Sequence, residues 1–299
     1  MHRWLLSALF ASLVAAAGPA AGRTLFVGSI SGKPDKEIKI FHPFAHYLAQ
    51  QLKDMGIEQG KVVVAGGIPE MAEKMRTRQV DIFIDSPFPT VAVSRLAGSK
   101  ILLRRWKRGQ AEFNSVFVVR ADSAIHALAD LKGKMLAFED PYSTTGYFLP
   151  KSALLESKLA LREFSDNGAP VGPREVGFVF SGEKETTLLW VTRGKVAAGA
   201  VGIHDFEQFR KAQPDALRVI HETPAVPRHL VSHRKDLDEA LVKRIREVLL
   251  AMENTEQGRQ VLAAFEQTVR FDDLPSGVQK SLAPILQLTK DIDREIVRR

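Results

Sequence analysis

The stretch FEDPYSTTGYFLP, residues 138–150, decides how this chain is read. A short apolar run over 135–138 reads as a strand and stops at Glu139-Asp140-Pro141. Ser143, Thr144 and Thr145 follow, then Gly146, then a run that reads as helix. Where a strand turns into a helix, the first N–H groups lack intrahelical partners and the helix dipole adds partial positive charge. Hydroxyl donors at that point can close around a tetrahedral oxyanion without a basic side chain. An ordinary N-cap would use the same residues, since Ser and Thr are favoured there. The segment alone leaves both readings open.

Outward from this segment, strands and helices alternate, which predicts an α/β fold with mainly parallel sheets. Strands are predicted over 24–30, 61–65, 80–84, 101–103, 115–120, 175–180, 196–201, 217–221 and 229–233. Phe41, Phe44, Ala45, Leu48 and Leu52 recur at helical spacing, with Gly56 as the stop. From Leu237 onward the pattern reads as helix only. A second hydroxyl, Ser86, sits just beyond the strand over 80–84. Ligands in open α/β sheets bind beyond the carboxyl ends of strands. Two such helix starts can face each other only if the chain builds two lobes.

The chain has 299 residues, 45% of them apolar, which suits about two globular domains. Residues 1–22 read as a removable leader: a basic start at Arg3, an apolar run over 4–14, and small residues over 15–22. The competing reading is a membrane anchor, but the run is shorter than the roughly 20 residues that span a bilayer. An exported protein is therefore expected. There is no cysteine, which excludes disulfides, thiolate metal sites and lipid attachment through an N-terminal cysteine. The formal net charge of +7 suits an anionic ligand. Lys and Arg are dispersed except at Arg104-Arg105-Trp106-Lys107-Arg108, and no nucleic-acid-binding motif accompanies them, so nucleic acid is not an expected partner.

The segment over 140–147, Asp-Pro-Tyr-Ser-Thr-Thr-Gly-Tyr, resembles the Asp-Pro-Gly-Ser-Thr-Ser-Gly-Tyr signature of the periplasmic binding proteins of phosphate, phosphite and phosphonate ABC transporters. Phe41-His42-Pro43-Phe44-Ala45-His46-Tyr47-Leu48, Gln79-Val80-Asp81 with Ser86-Pro87, and Phe180-Ser181-Gly182 match further elements of that family. The resemblance covers roughly residues 24–273. It implies the periplasm as the compartment and a two-lobed type 2 periplasmic binding fold with the ligand in a cleft between lobes. Lobe one would take 24–118 and 226–299, and lobe two 119–225. The implied ligand-binding set is Ser31, Ser86, Tyr142, Ser143, Thr144, Thr145 and Lys184.

Three positions depart from the family pattern. Tyr142 stands where the signature has Gly, and Lys184 where the family has a histidine. Ala197 stands where the resemblance expects an acidic residue that holds a substrate amine, which argues against 2-aminoethylphosphonate; Glu183 could compensate.

The histidines are scattered, and His42 and His46 are separated by Pro43 with no His-Glu-x-x-His pattern, so no metal is expected. Neither a nucleophile elbow nor a Gly-rich nucleotide loop is present, so neither a cofactor nor enzymatic activity is expected. The expected role is a monomeric receptor. It would close on a phosphorus oxyanion (phosphonate, phosphite or phosphate) and present it to an ABC permease. The alternative is a sensory receptor of the same fold that signals to a membrane histidine kinase.

Overall fold

The computed structural model of the protein describes residues 22–296, with side chains as far as residue 289. The expected leader, but for Gly22, lies outside the described residues. The chain runs β1 (Arg23–Ile30), α1 (Pro34–Gln51), β2 (Ile57–Ala65), α2 (Ile68–Arg76), β3 (Ile82–Asp85), α3 (Pro87–Ala97) and β4 (Lys100–Lys107), then crosses through the short β5 (Glu112–Phe113). It continues as β6 (Ser115–Arg120), β7 (Met135–Phe138), α4 (Leu149–Glu156), β8 (Ala160–Glu163), β9 (Glu175–Phe180), α5 (Lys184–Thr192), β10 (Ala198–Gly202), α6 (Ile203–Ala212) and β11 (Leu217–Glu222). It returns through β12 (Val226–Pro227) to β13 (His229–His233), α7 (Glu239–Ala251), α8 (Glu256–Ala264), β14 (Thr268–Asp272), α9 (Gly277–Ser281) and α10 (Ala283–Ile296). None of the described helices is long and apolar enough to cross a membrane.

Two sheets form two lobes. The first has the order β14-β4-β13-β3-β1-β2 and the second β11-β6-β10-β7-β9-β8. Each is parallel on one side and antiparallel on the other, which corrects the expectation of mainly parallel sheets. The reason is the double crossing: β13 enters antiparallel beside β3 after the return, and β6 enters antiparallel beside β10 after the departure. The crossings themselves pair, β5 with β12, as a short antiparallel ladder. β6 pairs with β10 from Ser115 onward, so the chain has left the first sheet before residue 115.

The region after Leu237 is not helix only. Thr268–Asp272 forms β14, an edge strand on β4. A half-exposed edge strand carries no long apolar run, so it leaves little trace in the sequence.

Burial explains why the elements stay where they are. The apolar stripe of α1 (Phe41, Phe44, Leu48) is buried against Phe265 and Phe271 from the C-terminal part of the first lobe. In the second lobe Phe138, Tyr147, Phe178 and Phe180 form a ring cluster beneath the hydroxyl segment. The packing is continuous between lobes, where Phe88 of α3 stacks on Phe148. The carboxyl ends of β1, β3, β7 and β9 all open onto the space between the lobes.

Candidate functional site

The first lobe contributes the turn after β3. Asp85 ends the strand, and its carboxylate accepts the N–H of Ser86 at 2.6 Å and of Ile30 at 3.3 Å. Ser86 is the N-cap residue of α3 but makes no side-chain cap of its own, and Pro87 follows at the first helical turn. Proline is favoured there because its missing N–H would have no helical partner.

The second lobe contributes the hydroxyl run after β7. Here the run is itself a π-helical turn over Thr144–Phe148, ahead of the α-helix that was expected to follow it. Asp140 folds the approach by accepting the Tyr142 N–H at 2.7 Å. Ser143 caps the turn: its Oγ accepts the Gly146 N–H at 2.9 Å and donates to Glu139 at 2.7 Å. Thr144 reaches across the cleft, donating to Ser86 Oγ at 2.9 Å and accepting the Phe88 N–H at 3.1 Å. The N–H groups of Thr144 and Thr145 have no hydrogen-bond partner among the described residues. The cap and the cradle are thus divided between neighbours: Ser143 caps, while the next two amides stay bare at the positive end of the turn.

Between the lobes lies a cleft of about 770 Å³. Ser31 and Ser86 line it from the first lobe, and Tyr142, Ser143, Thr144, Thr145 and Lys184 from the second. Every residue of the expected set therefore faces one space. Tyr142 closes over the first lobe so tightly that a Cβ on Gly67 would lie 2.5 Å from its hydroxyl oxygen. Ala197 does not face the cleft; it borders a separate hollow beside Arg120 and Lys195. The absence of a carboxylate at Ala197 thus has no bearing on the cleft. The carboxylate in the cleft near Lys184 is Asp205, at the start of α6.

Asp205 also accepts from Arg108 of the first lobe at 3.0 Å, so one carboxylate joins cations of both lobes. Burial works to raise its pKa, but Lys184 and Arg108 hold it below the usual carboxylate range. A second bridge pairs Lys33 with Glu183 across the cleft. On the β4 side, Lys107 and the fully buried Arg105 share Glu266. Burial pulls the Lys107 ammonium down to about 8. Burial also works against ionised Glu266, but the two cations outweigh it and hold the carboxyl at about 2. Asp85 and Glu139 lie at the two helix starts without a cation of their own, and burial pushes each up to about 7. Among the described residues no cluster of three or more His, Cys, Asp or Glu could hold a metal ion.

Sequence reasoning missed Arg228, His229 and Asp205 as cleft residues. The run Arg104–Arg108 did carry a signal: period-two alternation on a strand sends Arg105 and Lys107 to one face.

Residues 28–274 match the profile of a family described as ABC transporter, phosphonate, periplasmic substrate-binding protein. The phosphonates-binding periplasmic protein of Escherichia coli K12 is 26% identical over 248 residues, spanning 79% of this chain and 69% of that protein. Among solved structures, XAC2383 from Xanthomonas citri bound to chloride ion superposes with a TM-score of 0.86 at 26% identity, covering 91% of this chain and 99% of that one. The same protein bound to ATP gives 0.85 at 25% identity, covering 91% and 98%. PhnD1 from Prochlorococcus marinus in complex with methylphosphonate shares the fold, with a TM-score of 0.68 at 22% identity over 90% of this chain and 98% of that one.

Proposed function

This chain belongs to the family of phosphonate periplasmic substrate-binding proteins of ABC transporters, and on that premise we propose that it captures a phosphorus oxyanion between its lobes and delivers it to a permease. Its role is solute binding for transport and not catalysis. The observation that carries the ligand assignment is the pair of bare amides at Thr144 and Thr145, opposite the Ser86 hydroxyl. Unsatisfied N–H groups at the positive end of a helical turn suit a tetrahedral anion. In this reading Thr145 and Ser86 donate to the ligand, Ser143 and Thr144 fix the turn around it, and Lys184, Tyr142 and Ser31 complete the wall. The leader over 1–22 would be removed on export, leaving a monomer with lobes near the expected 24–118 plus 226–299 and 119–225.

Phosphonate, phosphite and phosphate are the ligands to separate, and the ATP-bound relative adds nucleotides to the range. A thermal-shift panel of phosphate, phosphite, methylphosphonate, 2-aminoethylphosphonate, sulfate, arsenate and ATP tests the reading. A ligand at a hundred times its Kd adds about 2.7 kcal/mol to native stability. The Ser86→Ala, Thr145→Ala double variant, which removes the two donating hydroxyls, should lose affinity by about 1–3 kcal/mol for each. No shift with any phosphorus anion would defeat the assignment.

A further inference from the structure

Three arginines are more than nine-tenths buried among the described residues: Arg104, Arg105 and Arg228. Arg104 is held by Asp272 and Arg105 by Glu266. Arg228 has no carboxylate partner and no side-chain hydrogen bond among the described residues, and its Nε is buried without an acceptor. Its guanidinium rests on the Phe113 ring at 4.3 Å, and its backbone is fixed at the crossing by a 2.8 Å hydrogen bond from its N–H to the Ala111 carbonyl. The side chain lines the cleft, and so does the adjacent His229, whose Nδ1 is likewise buried without a partner. The nearby carboxylates are already engaged, Asp205 by Lys184 and Arg108, and Glu266 by Lys107 and Arg105. Asp205 and Glu266 attract Arg228 through space without pairing with it directly, and a buried cation with no ion pair of its own is favoured by an anion that completes it.

Size points the same way. A tetrahedral oxyanion has roughly five heavy atoms and replaces a few waters of about 30 Å³ each. The cleft of about 770 Å³ leaves most of its space beyond such a group.

We propose that Arg228 receives a second anionic group of the ligand, so that the cleft selects phosphorus anions carrying two separated negative heads, one on the Thr144–Thr145 amides and one on the Arg228 guanidinium. The planar fork of arginine suits a carboxylate or a second phosphate equally, through paired N–H donors. This rests on reading the cleft as an oxyanion site.

Isothermal titration of the full chain with methylphosphonate, phosphonoacetate and pyrophosphate tests it. At least one two-headed ligand should bind tenfold or more tighter than methylphosphonate; phosphonoacetate against pyrophosphate then tells whether the second head is a carboxylate or a phosphate. In Arg228→Gln the ratio should fall toward one, and Arg228→Lys should keep part of it. The unliganded Arg228→Gln protein should melt no lower than wild type, since a buried unpaired charge is gone. Methylphosphonate binding as tightly as both two-headed ligands to the unmodified chain would overturn the proposal while leaving the oxyanion reading intact. An unchanged ratio in Arg228→Gln would do the same. Failure of all three to bind would overturn the two-headed proposal, and the oxyanion reading would fall with it only if phosphate and phosphite also fail to bind.

Discussion

Thr144 Oγ1 bridges the lobes, donating to Ser86 Oγ at 2.9 Å while it accepts the Phe88 N–H at 3.1 Å. Phe88 carries one of the orphan amides at the start of α3, and Ser86 leaves it uncapped. The second lobe therefore supplies a cap that the first lobe lacks, and closing the cleft satisfies a buried donor as well as enclosing a ligand.

Thr144→Val keeps the shape and removes that bridge. The Phe88 N–H is then buried unpaired in the closed form, at about 1–3 kcal/mol. The closed form should lose population and ligand affinity should fall. Small-angle scattering would register a larger radius of gyration; an unchanged radius together with unchanged affinity would refute the latch.

Gly67→Ala tests closure from the other side. Gly67 has φ −174°, extended backbone open to any residue, so the substitution carries no backbone strain. Its Cβ would instead meet the Tyr142 hydroxyl oxygen at 2.5 Å, forcing the phenol aside. Affinity should drop about tenfold, or about 1.4 kcal/mol, with little change in unliganded melting temperature. Adding Tyr142→Ala should restore part of the loss; a double variant as weak as Gly67→Ala would show that the contact is not the cause.

Glu139 gives a pH signature. Its pKa is raised by burial to about 7, above the ordinary carboxylate value, so between those pH values the folded chain holds a proton that the unfolded chain has lost. Its contribution favours folding at low pH and fades as pH rises through about 7. Glu139→Gln mimics the protonated form, and Gln can still accept from Ser143. The variant should match wild type near pH 4 and melt higher near pH 8, by about 2–4 °C for each kcal/mol regained. Parallel melting curves across that range would contradict the raised pKa.

Gly60→Ala addresses the first lobe's core. A Cβ there would lie 1.9 Å from the Ala45 carbonyl oxygen, where β2 meets α1. Backbone cannot yield as a side-chain tip does, and overpacking of this kind costs about 1–3 kcal/mol or more. Urea denaturation should show a lower midpoint; wild-type stability would mean that the helix shifts freely.

Local patterns carried the sequence reading. A strand end, three hydroxyls and a helix start over 138–150 lie within a few turns of chain, and short-range hydrogen bonding fixes their geometry: Ser143 to Gly146, Asp140 to Tyr142. The same holds for Ser86 beyond β3. The expected set therefore faces one cleft. The finer division of labour, with Ser143 as cap and Thr144 as bridge, was not legible, because one hydroxyl pattern serves either role.

The amino-acid order by itself determined the alternation of strands and helices, the two hydroxyl-bearing strand ends and the absence of thiol chemistry, since each depends on neighbours along the chain. Tertiary structure alone decided which partners meet across the cleft: Thr144 with Ser86, 58 residues apart, Asp205 with both Lys184 and Arg108, and Arg228 buried against Phe113 with no direct ion pair among the described residues. Charge pairing and desolvation depend on distances through space, and those distances are set by how two lobes fold back through paired crossings.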